Sequence, residues 1–233
     1  MENLFIVMPA YNEATNIERV VSDWYPIIEH IGGESRLVVV DDGSTDGTYA
    51  ALRAMNLERL VPISKANGGH GAAVLYAYRY AVEHGADWVF QTDSDGQTLA
   101  EEFSQFWDCR GDFDMVIGRR EKREDGVFRL LVTRTLRVVI RLLFGVSIPD
   151  ANLAYRLMRA SALREALAII PPDFYLANVL VSIVFAKKRK RVKSIPVTVR
   201  PRQGGVNSVF APQIVKIGFR AIADFWKLRK AFE

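Results

Sequence analysis

The chain reads as an α/β protein, a mostly parallel central sheet with helices on both faces. Three observations predict it. Short apolar runs alternate with helix-length stretches through the first half of the chain. The runs are continuously apolar, as strands buried on both faces are. Two of them end in acidic turns: 37–40 leads into Asp41-Asp42-Gly43-Ser44, and Trp88-Val89-Phe90 leads towards Asp93-Ser94-Asp95-Gly96-Gln97. Acidic turns after buried strands place a metal-assisted nucleotide site at the carboxyl edge of such a sheet.

The elements follow in order. Residues 4–8 are an apolar strand that Pro9 ends, since proline brings no N–H to a ladder. Residues 16–30 read as a helix with Thr15 as N-cap. A buried strand at 37–40, a helix at 45–55, a strand at 60–63, a helix at 71–84 and a strand at 88–91 come next. The second half is less regular. It holds a strand at 115–117, a long helix at 129–144 bearing Arg129, Arg134, Arg137 and Arg141, and a strand at 153–158. Helices at 161–169 and 175–186, a strand at 192–199 and a loop at 203–208 follow. The last element, 210–232, is an amphipathic helix. Phe210, Ile214, Ile217, Ala221, Phe225, Leu228 and Phe232 share one face, with Lys216, Arg220, Lys227 and Lys230 opposite. That helix packs on its own domain or a second copy, or it lies in a membrane interface. The domain division is therefore 1–208 for a catalytic domain and 209–233 for the C-terminal helix.

Composition bounds the rest. A length of 233 residues supports one large domain, and 49% apolar with 25% charged residues is ordinary for a soluble globular chain. The net charge of +4 is modest but uneven: Lys187, Lys188, Arg189, Lys190, Arg191, Lys193, Arg200 and Arg202 have no acidic residue between them. The asymmetry suits a polyanionic substrate or an anionic membrane surface. The lone Cys109 excludes an internal disulfide framework and points to a reducing compartment. Met1-Glu2-Asn3-Leu4 has no basic n-region, so no signal peptide is expected. The longest apolar stretch, around 174–186, is shorter than the ~20 residues a bilayer needs.

Three motifs carry chemistry. Asp93 and Asp95 offer hard oxygen ligands suited to Mg²⁺ or Mn²⁺, ions that also hold substrate phosphates. The plain alternative is an Asx-rich turn. In Asp41-Asp42-Gly43-Ser44-Thr45-Asp46-Gly47-Thr48 the glycines allow a tight turn, Ser44 or Asp46 can cap the next helix, and Asp42 can accept from a base or ribose. Taken alone this is a well-capped βα turn. Asn67-Gly68-Gly69-His70-Gly71-Ala72-Ala73 opens a helix where backbone N–H groups can meet an anion. It fits neither a dinucleotide fingerprint nor a Walker A loop. His70 has no carboxylate nearby in sequence and reads as a loop residue.

Taken together with Met8-Pro9-Ala10-Tyr11-Asn12-Glu13, these segments closely resemble the family-2 glycosyltransferases with a GT-A fold, over roughly residues 3–205. The resemblance implies sugar transfer from a nucleotide-sugar donor with a divalent metal at the diphosphate. It implies that Pro9, Tyr11, Glu13 and Asp42 line the nucleotide pocket, with Asp93, Asp95 and Gln97 at the metal. The second half is similar to dolichol-phosphate mannose synthase and related polyprenyl-phosphate glycosyltransferases. Arg120 in Gly118-Arg119-Arg120, the Arg129/Thr133/Arg134 helix, the Asp150 to Leu157 segment and Arg202 in Pro201-Arg202-Gln203-Gly204 match their motifs. Arg119, Thr133 and Ala154 depart from the pattern, as does the extra residue before Ser208.

So many arginines make sense if a second phosphate enters the site, because guanidinium suits bidentate phosphate contacts. An ionised phosphate acceptor also needs little help from a base. The region 171–182 has Asp173 but no Glu-Asp pair of the kind many family-2 members use as base. The expected activity is inverting transfer of a sugar to a membrane-bound polyprenyl phosphate. Arg120, Arg129 and Arg202 would bind phosphates, and Asp150 would position the acceptor or an arginine. The alternative is a hydroxyl acceptor of a polysaccharide or glycolipid. A nucleotidyltransferase lacks its glycine- and lysine-rich N-terminal loop here. Nucleic acid is not an expected partner, because acidic turns repel its backbone and the basic block has few interleaved aromatics. The chain is expected in the cytoplasm, peripheral at the cytoplasmic face of a membrane, with 187–193 and the final helix facing anionic headgroups. Relatives carry transmembrane helices after this point, so a separate membrane partner protein is a second expectation.

Overall fold

The computed structural model describes residues 2–120, 127–148, 152–201 and 221–229, and of 127–133 the helical backbone only. Seven strands are formed: β1 (Leu4–Ala10), β2 (Arg36–Asp41), β3 (Leu60–Ser64), β4 (Trp88–Thr92), β5 (Met115–Arg120), β6 (Tyr155–Arg159) and β7 (Val192–Val197). The helices between them are α1 (Ile17–Ile31), α2 (Thr48–Ala54), α3 (His70–Glu83), α4 (Ser104–Asp108), α5 (Val127–Phe144), α6 (Ala160–Leu167) and α7 (Ala177–Lys187). A further helix, α8, covers 221–228.

The strands make one sheet in the order β3-β2-β1-β4-β6-β5-β7. Only β6 runs against its neighbours, pairing antiparallel with both β4 and β5. The order turns back between β1 and β4. The loops after these two strands lie side by side at the carboxyl edge, where such a switch point places a ligand crevice. The sheet has a core on each face. Leu4, Ile6 and Met8 of β1 pack with α1 and α4, whereas Phe5 and Val7 pack with α3, α6 and α7. Helix α7 is buried on all sides from Ala177 to Phe185, which explains why it is apolar there except for Asn178 and Ser182.

Several boundaries differ from the sequence expectation, for local reasons. Strand β1 continues through Pro9. The β4 ladder stops at Val7, while β2 pairs on to Ala10, so the missing proline donor leaves no gap on the β4 side. Helix α1 follows Asn16, not Thr15. The Glu13 carbonyl accepts the N–H groups of both Asn16 and Ile17 at 2.9 Å, so the backbone of the preceding loop does the capping. Helix α2 starts at Thr48 rather than 45, because the Thr45 N–H is given to Asn12 Oδ1 at 2.9 Å. Strand β6 starts at Tyr155 rather than 153.

The region 100–112 holds helical turns that the sequence reading passed over: Ala100–Phe103, α4 and Arg110–Asp112. Each is too short to show a period. Phe103 and Phe106 hold them in place, meeting Phe90 at 5.0 and 6.2 Å between ring centres, both edge to face. On α8, Ala221 and Phe225 are buried, and Phe225 packs on Phe144 and Phe174 at 5.7 and 5.8 Å. The expected loop at 203–208 and the 210–220 and 230–232 parts of the final helix lie outside the described residues, as does the expected boundary at 208.

Candidate active site at the carboxyl edge

The site is built from loops that follow parallel strands, so the sheet brings them together. Tyr11 to Ala14 follow β1, Asp42 to Gly47 follow β2, Lys65 to Gly69 follow β3, and Asp93 to Gln97 follow β4. Arg120 closes β5 at the same edge, opposite Val197 of β7.

The first two loops are stitched by short polar side chains. The Asn12 N–H donates to Ser44 Oγ at 2.9 Å, and the Glu13 N–H donates to Thr48 Oγ1 at 2.9 Å. The Ala14 N–H and Thr48 N–H donate to opposite oxygens of Asp46, each at 3.0 Å. Burial alone would raise the pKa of Asp46, but the hydrogen bonds from Thr48 and Ala14 outweigh it and hold the carboxyl below its ordinary value. Asn12 takes a left-handed φ of 54°, a conformation asparagine tolerates. This leaves Tyr11 47% exposed at the crevice, an aromatic face available for a base.

Asp42 turns inward. It is 3% exposed. Its Oδ1 accepts Lys65 Nζ at 2.5 Å and the Gly68 N–H at 3.0 Å, and its Oδ2 accepts the Gly69 N–H at 2.7 Å. Its carboxylate therefore holds the glycine-rich loop in shape and keeps only Oδ2 capacity for a ligand. Lys65, which sequence reasoning missed, is the counter-charge. Asp41 is likewise structural, accepting from the Ser44 N–H at 3.3 Å and from Ser64 Oγ at 3.2 Å. Glu13 is buried, with Oε2 accepting from Asn16 Nδ2 at 3.0 Å. Pro9 lies within β1 and is buried.

His70 is not merely a loop residue. It is the first residue of α3, and its Nε2 lies 3.9 Å from Asp93 Oδ1. The next residue, Gly71, must be glycine. A Cβ there would stand 2.4 Å from the Phe174 carbonyl oxygen and 2.5 Å from Tyr175 Cα. Helix α3 is thus pressed against the 174–175 turn, which carries Phe174 onto Phe225 and Phe225 onto Phe144.

Asp93, Asp95 and Gln97 are half-buried on one loop. Asp95 Oδ1 accepts the Gln97 N–H at 3.1 Å in an Asx turn, which leaves Oδ2 for a ligand. Tyr155, fully buried below, holds the far end of the loop by donating to the Leu99 carbonyl at 2.8 Å. Deeper still, the Tyr78 hydroxyl donates to Gln91 Oε1 at 2.6 Å. Burial drives its pKa upward, so it stays a donor. Arg156, fully buried on β6, donates to the carbonyls of Leu153 and Asn178 at 2.8 and 2.9 Å and to Ser182 Oγ at 3.1 Å. It ties Leu153 to α7.

Among the described residues no three His, Cys, Asp or Glu side chains gather as a ready metal cage. Two carboxylates and an amide oxygen are nonetheless a hard donor set. They fit a Mg²⁺- or Mn²⁺-type ion that completes its shell with water and substrate phosphates. Of the expected phosphate ligands, Arg120 is half-buried at the edge and Arg134 is exposed on α5. Arg129 falls on α5 but its side chain lies outside the described residues, as do Asp150 and Arg202.

This architecture, a crevice at the β1/β4 switch point with a two-aspartate loop, defines the GT-A class of sugar-nucleotide transferases. Glucosyl-3-phosphoglycerate synthase from Mycobacterium tuberculosis, solved with Mn²⁺, UDP and glucosyl-3-phosphoglycerate, has the same fold. Its TM-score is 0.68 at 20% identity, over 98% of this chain and 80% of that one. The profile of Glycosyl transferase family 2 matches residues 5–167, and the chain belongs to that family. It is 26% identical to the polyprenol monophosphomannose synthase of Mycolicibacterium smegmatis, over 98% of this chain and 88% of the relative. It is also 26% identical to the undecaprenyl-phosphate mannosyltransferase of Micrococcus luteus, over 85% and 84%. The chain is therefore a glycosyltransferase.

Proposed function

We propose that this glycosyltransferase moves a sugar from a nucleotide-sugar donor to a polyprenyl phosphate, with inversion at the anomeric carbon. The observation that carries the acceptor class is that 171–182 holds no Glu-Asp pair. In the region 171–182 the one acid is Asp173, which is exposed, and the inward positions Asn178 and Ser182 are buried with Arg156. A neutral hydroxyl attacking a sugar needs a carboxylate to take its proton, whereas an ionised phosphate does not. The near full-length likeness to a polyprenol monophosphomannose synthase supports the same acceptor.

In this reading Tyr11, Asp42 and the buried Glu13 shape the nucleotide pocket, with Pro9 setting the end of β1. Asp93, Asp95 and Gln97 hold a Mg²⁺ or Mn²⁺ ion, which supplies charge neutralisation at the leaving diphosphate. Arg120, Arg129 and Arg202 orient phosphates, and Asp150 positions the acceptor or one of these arginines.

The protein would act at a membrane surface on the cytoplasmic side, with a separate membrane partner a further proposal. No described helix is long and apolar enough to cross a membrane. Helices α5 and α8 expose Val138, Leu142, Ile222 and Trp226 among Arg134, Arg137, Arg141 and Lys227. Apolar residues flanked by cations suit an anionic interface. The Phe144–Phe225–Phe174 contacts set this surface beside the active-site edge.

A transfer screen tests the reading. Purified protein with Mn²⁺ is given a panel of nucleotide sugars, with and without farnesyl phosphate. Product that requires the lipid phosphate is expected. Transfer to hydroxyl acceptors alone would overturn the acceptor class.

A further inference from the structure

Two donor atoms from different loops meet at the carboxyl edge without bonding to each other. His70 Nε2 stands 3.9 Å from Asp93 Oδ1, beyond hydrogen-bond length. Their side chains are 55% and 33% exposed, so both reach the surface of the site. The frame around them sets this distance. On the His70 side, the Asp42 carboxylate accepts the Gly68 and Gly69 N–H groups, and the Ala73 N–H donates to the Gly69 carbonyl at 3.1 Å. Gly71 is pressed against the Phe174 and Tyr175 backbone. The main chain on either side of His70 is therefore fixed, and its side-chain torsions are left to move. On the Asp93 side, the Thr92 and Thr98 hydroxyls bond at 2.7 Å and close the 93–97 loop at its base. Asp95 stands two residues further along that loop.

The separation suits two ligands of one ion. Ligands about 2.1 Å from an octahedral cation stand about 3 Å apart when adjacent and about 4 Å apart when opposite. The 3.9 Å between His70 Nε2 and Asp93 Oδ1 falls inside that span. We propose that His70 Nε2 joins the carboxylates as a ligand of the cation. The inference rests on the cation site proposed above and gives it a mixed nitrogen and oxygen donor set. Its consequence is selectivity. Mg²⁺ takes oxygen ligands and holds nitrogen poorly, whereas first-row transition ions accept imidazole as well as carboxylate. His70 therefore biases the site towards Mn²⁺ over Mg²⁺. The glycine-rich loop, which Asp42 holds in shape, then serves the cation directly through the residue it presents.

Pulsed electron paramagnetic resonance of bound Mn²⁺ tests this without reference to turnover. The purified protein is loaded with Mn²⁺ and pyrophosphate, which brings no nitrogen of its own. Mg²⁺ affinity is read by competition against Mn²⁺, and thermal melts establish that each variant is folded. The wild type is expected to show the ¹⁴N modulation of a directly bound imidazole. His70→Ala should lose that modulation and weaken Mn²⁺ by about 10-fold or more, with a smaller change for Mg²⁺. In His70→Gln an amide oxygen reaches the same place, so Mn²⁺ binding should be largely restored with no nitrogen signal. Wild-type protein that binds Mn²⁺ without the modulation would overturn the proposal. So would a modulation that survives His70→Ala, or an unchanged preference for Mn²⁺ over Mg²⁺ in that variant. Wild-type protein that binds no Mn²⁺, or Mn²⁺ binding untouched by Asp95→Ala, would overturn the cation site itself, and the role of His70 with it.

Discussion

The two edges of the sheet carry charge in different ways. At the amino edge, charges close into small mixed-sign groups. Arg110 meets Glu2 at 2.7 Å, Arg159 and Arg191 both approach Asp114 at 3.8 Å, and Lys188 and Lys190 share Glu165 at 3.4 and 2.8 Å. Hydrogen bonding from Lys190 holds the pKa of Glu165 below its ordinary value. At the carboxyl edge Lys65 meets Asp42 and His70 lies 3.9 Å from Asp93, but like charges also sit side by side. Asp93 and Asp95 share one loop, and Arg120 ends a strand two places away in the sheet. The first arrangement satisfies itself and leaves little for a ligand. The second also sets two carboxylates, Asp93 and Asp95, on one loop, an arrangement suited to a cation.

This comparison revises one expectation. Sequence places the basic run 187–193 against anionic headgroups. It leads into β7, whose start is paired with Met115 at the start of β5. It therefore sits at the amino edge, away from Asp93, with Lys188 and Lys190 engaged by Glu165 and Arg191 near Asp114. The membrane contact proposed above is therefore the exposed surface of α5 and α8.

The difference between the edges can be broken at its strongest point first. Asp95→Ala is expected to lower transfer by more than about 100-fold while leaving the melting temperature near that of wild type. Transfer rates that survive it would remove the carboxyl-edge assignment. Arg120→Ala should next lower kcat/KM for lipid phosphate by about 10- to 100-fold, the value of a charge-assisted hydrogen bond. An unchanged value would place Arg120 outside the phosphate sites. Gly71→Ala tests the contact of α3 with the 174–175 turn. It should destabilise the fold by about 1–3 kcal/mol in denaturant titrations, since the added methyl meets backbone rather than a movable side chain. A wild-type midpoint would mean the contact is loose.

The amino edge should answer weakly. Removing Lys188 and Lys190 together should change stability by no more than about 1 kcal/mol and leave sedimentation with anionic vesicles unaltered. Leu142→Ser with Trp226→Ser should reduce that sedimentation several-fold, and the reverse ranking would restore the basic run as the membrane contact. The smallest effect concerns pH. Asp46 is held below its ordinary pKa, so its ionised form adds stability that is complete above the unfolded value and lost as pH falls through the folded one. Asp46→Asn should flatten that fall below about pH 5, as read from denaturant midpoints. An unchanged slope would show that its bonds to Ala14 and Thr48 contribute nothing.

Much of this protein was legible from its residues alone. Continuous apolar strands, acidic turns after the second and fourth strands, and a glycine loop opening a helix are local patterns, and local patterns survive without the fold. They placed all seven strands and the two-aspartate loop. The distant partners of site residues were hidden. His70 lies 3.9 Å from an aspartate 23 positions on, Lys65 neutralises an aspartate 23 positions back, and Gln97 is clasped by Arg200, 103 positions away. The short helices at 100–112 escaped because nothing in them repeats, and their position depends on Phe90 and Tyr155. The apolar period of the last helix identified its buried face, but only the packing of Phe225 on Phe144 and Phe174 decided what that face covers. Sequence determined which groups could do the chemistry, because residue type and spacing are written there. The tertiary structure decided which of those groups face a ligand and which are consumed holding the loops, because that depends on partners brought from far along the chain.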